Sequence, residues 1–140
     1  MDKERAVFGG GVAVITGAAS GIGEGLARHA AALGMKVVLA DIAVERMEAV
    51  AAEIRAAGGE AMAVPTDVTD AAAIDRLAAI THETWGDVRL LMNNAGVVAL
   101  PFSKTADGFE MQFGTNHLGH FALTAQVLPL LEAAPAPRVV

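Results

Sequence analysis

Thr16-Gly17-Ala18-Ala19-Ser20-Gly21-Ile22-Gly23 decides the fold, because its flanks read consistently on both sides. Ahead of it, Val12-Ala13-Val14-Ile15 is a short, apolar, β-branched run of the kind that forms a buried strand. Behind it, residues 24–33 carry a helical pattern that stops at Gly34. A strand, a glycine turn and a helix N-terminus together make an anion site. Gly17 permits the tight turn, Gly21 lets backbone approach a diphosphate, and Gly23 lets helix pack on strand. Ser20 and Ile22 stand between these glycines, where the N–H groups of the first helical turn face the anion. Glycine makes up 15 of the 140 residues, so the spacing alone also fits a glycine-rich turn without function.

A second buried-strand run, Lys36-Val37-Val38-Leu39-Ala40, ends at Asp41, 20 residues beyond Gly21 (41 − 21). A carboxylate there can accept hydrogen bonds from both adenosine-ribose hydroxyls and repel a 2′-phosphate. No Lys or Arg occupies Ala18, Ala19 or Ser20 to hold such a phosphate, and Arg46 falls inside the next helix. The pattern therefore points to NAD rather than NADP. Asp41 also reads as the cap of a helix that starts near Ala43, and the two roles are compatible.

Strand patterns near 12–16, 36–40, 60–64 and 88–92 alternate with helical patterns near 21–33, 43–57, 70–85 and 107–132. That order predicts an α/β fold with a doubly wound parallel sheet of Rossmann type. Right-handed crossovers place the first two helices on one face and the later ones on the other, with strand order 3-2-1-4-5. The Gly17 turn and the turn at Asn94 then meet at the switch point between strands 1 and 4, where open α/β sheets bind ligands. Gly34, Gly58 and Gly86 read as left-handed C-caps. Asp70 reads as an N-cap, and Asp107 with Glu110 has capping-box spacing for the fourth helix. Met47, Met62, Met92 and Met111 read as core gap-fillers.

With these residues in place, the chain resembles the short-chain dehydrogenase/reductase family, which uses T-G-x-x-x-G-x-G at the first turn. The resemblance covers essentially all 140 residues. Asp67-Val68, after the third strand, resembles the family's adenine-ring contact. Asn93-Asn94-Ala95-Gly96, after the fourth, is its most recognisable internal motif. The resemblance implies that Asn94 contacts the second ribose and holds the floor of the site, with Ala95 and Gly96 beside the cofactor. Thr115-Asn116-His117-Leu118-Gly119-His120-Phe121 matches the segment that carries the Asn of the family's Asn-Ser-Tyr-Lys tetrad. Residues from Asp107-Gly108-Phe109-Glu110 through this segment look most like the retinol-dehydrogenase-like branch. The implied reaction is hydride transfer between a nicotinamide and a small alcohol or carbonyl substrate.

By the same resemblance, Asn116 supports a water in a proton relay to the catalytic Lys. The competing reading is a structural Asn that bonds backbone at a helix irregularity. Apolar residues cover more than one face of helix 107–132, which predicts burial on two sides, one of them the sheet; the resemblance implies that the other is a partner subunit in a homo-oligomer formed through this helix. His117 and His120 stand three apart, but no Cys and no third ligand lies near, so no metal site is expected. Arg138-Val139-Val140 reads as the start of the fifth strand. The family's Ser and Tyr-x-x-x-Lys come after that strand; this sequence has no Tyr, and Lys3, Lys36 and Lys104 all lie upstream. The expectation is a single cofactor-binding domain, truncated after the start of strand 5 and inactive by itself. The competing readings are a non-catalytic NAD-binding module and a self-associating fragment.

Composition narrows the classes further. Hydrophobic content is 54% and mean hydropathy is +0.45, as near-continuous apolar strands of a covered parallel sheet require. No apolar run is long enough for a membrane span. The mixed-charge start Met1-Asp2-Lys3-Glu4-Arg5 lacks an apolar region behind it, so no signal peptide is expected. The absence of Cys excludes disulfides and thiolate metal sites and fits a reducing, cytoplasmic setting. A net charge of −6 argues against a nucleic-acid surface.

Overall fold

The computed structural model describes residues 3–140; Met1 and Asp2 of the mixed-charge start lie outside the described residues. Five parallel strands form one sheet in the order β3-β2-β1-β4-β5. They are β1 (Val12–Thr16), β2 (Lys36–Asp41), β3 (Glu60–Pro65), β4 (Val88–Met92) and β5 (Arg138–Val139). The crossover helices are α2 (Gly21–Ala32), α3 (Val44–Ala56) and α4 (Ala71–Trp85). A composite helix follows β4: α5 (Met111–Phe113), a π-helical turn (Gly114–Gly119) and α6 (His120–Ala133). The short helix α1 (Lys3–Phe8) precedes β1 and has no apolar periodicity that announced it. It is tied down by Arg89, whose Nη1 donates to the Val7 carbonyl at 2.6 Å.

Alternation along the strands builds two cores. Ala13, Ile15, Val37, Leu39 and Leu90 face α2 and α3. Val12, Val14, Val38, Ala40, Val88 and Leu91 face α4 and α6. The predicted division of helices between the two faces therefore holds. It follows from right-handed crossovers and from the period of two along a strand. Strand β5 is two exposed residues long and occupies an edge, so β4 lies one strand in.

Three local expectations change. The fourth helical pattern starts at Met111, not at 107. Asp107-Gly108 instead forms the turn of a small antiparallel excursion: Lys104 bridges Glu110, and Gly108 has φ +87°. Asp-Gly is a turn dipeptide before it is a helix start. Glu110 is the cap itself, accepting from the N–H groups of Gln112 (3.0 Å) and Phe113 (2.8 Å), and these two bonds hold its carboxyl below the ordinary carboxylate range. Gly86 caps α4 with φ +83° but ψ −129°, outside the left-handed helical region that Gly34 and Gly58 were expected to share with it. Asp70 caps α4 as predicted, accepting from Ala72 N at 2.9 Å.

Burial of the composite helix is also one-sided here. Leu123, Val127 and Leu131 are buried against β4 and α4, whereas Phe113, Phe121 and Leu128 are exposed. Truncating a side chain of the first kind removes its transfer energy and leaves a cavity. Leu91→Ala, at a position with no exposed surface, should lower unfolding free energy in urea by about 2–5 kcal/mol. Phe121→Ala should change it by no more than about 0.5 kcal/mol in the monomer.

Candidate functional site

The carboxyl ends of β1 and β4 meet at a single hydroxyl. Thr16 is fully buried. Its Oγ1 accepts from the N–H of Asn94 (3.0 Å) and of Ala95 (2.9 Å) and donates to the Met92 carbonyl (3.3 Å). Asn94 answers from the other side: its Nδ2 donates to the Thr16 carbonyl at 3.0 Å and approaches the Gly17 carbonyl at 3.4 Å. The turn after β4 is thereby bonded, group for group, to the turn after β1. In the sequence Thr16 only opens the glycine stretch. Its signal was a lone hydroxyl at the end of an apolar strand, which must find partners if buried.

The glycines sort by their surroundings. A Cβ on Gly23 would stand 2.0 Å from the Gly17 carbonyl oxygen and 2.6 Å from Asn94 Nδ2. A Cβ on Gly17 would stand 2.9 Å from Ala95 Cα. Both are needed for packing at the switch point. Gly21 differs: φ is +57° and nothing lies within 4 Å of a Cβ there, which leaves its backbone open to a ligand. Ser20 flanks α2 in extended conformation and its side chain caps nothing. Ile22 is exposed. The first-turn N–H groups of α2 accordingly keep the donors that a helix N-terminus offers.

Asp41 sits at the end of β2 and holds two backbone donors, Ala19 N by Oδ2 (3.0 Å) and Ala43 N by Oδ1 (2.9 Å). The N-cap of α3 is Ala43 rather than Asp41; Asp41 instead holds the N–H of that cap residue and braces the glycine loop through Ala19. Asp67 is exposed and accepts from both the N–H (2.8 Å) and the hydroxyl (2.7 Å) of Thr69. Val68 is buried beside it. A cleft of about 450 Å³ joins these parts, lined by Gly17, Asp41, Asp67, Val68, Ala95 and Gly96 among others. Met111 also lines the cleft, so its expected place as a core gap-filler is corrected. The polar rim over an apolar floor is the usual character of a small-ligand site.

Asn116 belongs to the π-helical turn, not to regular helix. Its Oδ1 accepts from Val97 N at 2.8 Å and its Nδ2 donates to the Val97 carbonyl at 2.7 Å. The side chain thus pairs with one residue's main chain as a neighbouring strand would. That is the backbone-bonding Asn at a helix irregularity that the sequence left open. His117 stacks on Phe113, with ring centroids 5.2 Å apart. Among the described residues no group of His, Asp or Glu could hold a metal ion, and no helix is long and apolar enough to cross a membrane.

Thr16→Val keeps the shape and removes the hydroxyl, leaving the Asn94 and Ala95 N–H groups without their acceptor. Unfolding free energy should drop by about 1–3 kcal/mol, and amide exchange at both residues should accelerate. Thr16→Ser should retain most of the protection.

Comparison with known proteins matches this geometry to a family. The short chain dehydrogenase family profile covers residues 11–140. Mouse retinol dehydrogenase 11 is 42% identical over 133 residues, covering 94% of this chain and 42% of that protein. The structure of a short chain dehydrogenase/reductase from Burkholderia phymatum in complex with NAD superposes with TM-score 0.85 at 40% identity, covering 95% of this chain and 48% of that one. A metagenomic short-chain oxidoreductase in complex with NADP gives TM-score 0.82 at 33% identity, covering 95% and 62%. The chain spans less than half the length of the retinol dehydrogenases it matches. On the family match and the shared strand order, the chain belongs to the short chain dehydrogenase family.

Proposed function

We propose that this chain is the NAD-binding part of an oxidoreductase that transfers hydride between nicotinamide and an alcohol or carbonyl substrate. The observation that carries the reading is Asp41, whose carboxylate stands on the rim of the cleft and at the same time braces the glycine loop. NAD supplies the hydride carrier when bound. The residues present fit it. Gly17, Ser20, Gly21, Ile22 and Gly23 form an open anion cradle for the diphosphate. Asp41 receives the adenosine ribose, Asp67 and Val68 flank the adenine, and Asn94, Ala95 and Gly96 floor the nicotinamide end. Asn116 positions the Val97 main chain and, by the family resemblance, supports a relay water. The Tyr and Lys of that relay have no counterpart in these 140 residues.

A second copy of the chain is proposed to cover the exposed Phe113, Phe121 and Leu128 stripe, which favours a homo-oligomer through the composite helix. This reading also supports self-association without turnover.

Calorimetric titration tests the cofactor. NAD should bind more tightly than NADP, because the Asp41 carboxylate meets a 2′-phosphate with like charge. Asp41→Ala should erase the preference, with loss of about 1.5–3 kcal/mol of NAD binding. Equal or tighter NADP binding by the unmodified chain would overturn the assignment. An assay with NAD and a panel of secondary alcohols tests the second half. The chain alone should show no turnover, since acid–base help worth about 10²–10⁴-fold is missing. Turnover that vanishes on Asn116→Ala would reveal a catalytic group within these residues.

A further inference from the structure

A second hollow, of about 120 Å³, backs onto the wall of the cleft. Val68 and Thr69 line both spaces. The antiparallel excursion gives Ser103 and Met111 to the cleft, and Thr105, Asp107 and Phe109 to the hollow. The π-helical turn divides in the same way, with Thr115 on the cleft side and Gly114, Leu118 and Gly119 on the other. Neither glycine can grow a side chain to fill the space. A Cβ on Gly114 would stand 2.6 Å from Thr105 Cγ2, and one on Gly119 would stand 2.4 Å from the Val68 carbonyl oxygen.

The lining defines what the hollow can hold. Ile74 and Val68 are buried apolar residues, and the Phe109 ring is half exposed. Both hydroxyls are already engaged: Thr69 donates to Asp67 Oδ1 at 2.7 Å, and Thr105 accepts from the Phe109 N–H at 3.2 Å. Asp107 is different. It lines the hollow, and its carboxylate has no hydrogen-bond or ion-pair partner among the described residues. A carboxylate takes charge-assisted hydrogen bonds from an ammonium, an aromatic ring attracts a cation over its face, and an apolar floor takes a hydrocarbon chain. An anionic head would instead meet Asp107, with Asp67 and Asp70 flanking the Val68-Thr69 rim. The start of α4 would favour an anion, but Asp70 already answers it by accepting from Ala72 N at 2.9 Å. Arg76 lies 4.0 Å from Asp70, which offsets its charge. An apolar cavity of about 150 Å³ admits benzene, so this hollow suits a chain of about four to six carbons.

We propose that this hollow is a binding site for a short primary alkylammonium. Its charge rests on Asp107 beside Phe109, and its chain lies against Ile74 and Leu118. No covalent bond forms or breaks. The assignment does not depend on the dinucleotide reading of the cleft, because the two spaces are lined by different charged and aromatic groups.

The test is a titration of the isotope-labelled chain, followed by NMR at neutral pH, with n-pentylammonium chloride, n-pentanol and sodium pentanoate in turn. The ammonium should give saturable shifts at the amides of Gly114, Leu118 and Gly119 and at the Ile74 methyls. It should bind about tenfold more tightly than the alcohol, the worth of one hydrogen bond to a charged group. Pentanoate should bind more weakly than either. Asp107→Asn should erase the preference for the ammonium over the alcohol. Ala122→Leu puts a branched side chain at the mouth of the hollow and should abolish binding of both. Equal binding of the three probes overturns the proposal, as does an ammonium preference that persists in Asp107→Asn. Shifts that never saturate and spread over Asp67, Asp70 and Asp75 show surface ion pairing only, and overturn it too. If Asp107→Asn does not fold, Ala122→Leu decides: undiminished ammonium binding in that variant overturns the site.

Discussion

One buried hydroxyl carries the geometry of the cleft. Strands β1 and β4 are neighbours, but their chains leave in opposite directions, and the gap this opens is where a ligand enters. Left unbridged, the two turns would be independent loops with unpaired N–H groups in a dry place. Thr16 closes that gap with three hydrogen bonds, and the Asn94 amide adds two contacts back to the Thr16 and Gly17 carbonyls. Such a network is costly when half made and rigid when complete. The small residues around it follow from that closeness. Gly17 and Gly23 are dictated by the backbone atoms they touch, and Gly21 alone by open space. The glycine pattern is therefore as much a packing rule as a binding rule.

The π-helical turn is the second constraint, and it depends on the first. With the Asn94-Ala95 turn held in place, the chain beyond it must be met by the following helix. Gly114 and Asn116 make that contact, and Gly119 meets the turn after β3. Gly114 packs against the Thr105 side chain, where a Cβ would come within 2.6 Å, and Gly119 packs against the Val68 carbonyl, where a Cβ would come within 2.4 Å. Asn116 lies between them and grips Val97 by both of its polar atoms. The widened turn lets contacts to both walls of the cleft coexist on one helix. Wide turns of this type recur at functional sites, where a local loss of helical regularity re-aims a side chain or carbonyl.

Asp41 shows how one carboxylate can hold structure and selectivity together. Both of its oxygens already accept backbone N–H groups, so the side chain is oriented before any ligand arrives. An oriented carboxylate costs less to order on binding than a free one. It also means that replacing Asp41 disturbs the glycine loop through Ala19 as well as the ribose subsite.

The sequence by itself determined the α/β class, the strand order, the division of helices between the faces and the residues at the switch point. Each of these follows from local signals: apolar runs of strand length, glycines after them, and the handedness of crossovers. Asp70 as a cap was legible for the same reason, since a cap bonds within its own turn. What only the tertiary structure decided lies where local signals compete or where partners are distant in sequence. Asp107-Gly108 fits a helix start and a hairpin turn equally well, and the bridge from Lys104 to Glu110 selected the turn. Thr16 and Asn94 lie 78 residues apart, and Asn116 and Val97 lie 19 apart, so their pairing could not be read from spacing. The backbone bonding of Asn116 was of this kind: the side chain's partner is a main chain that reaches it only after the sheet has formed.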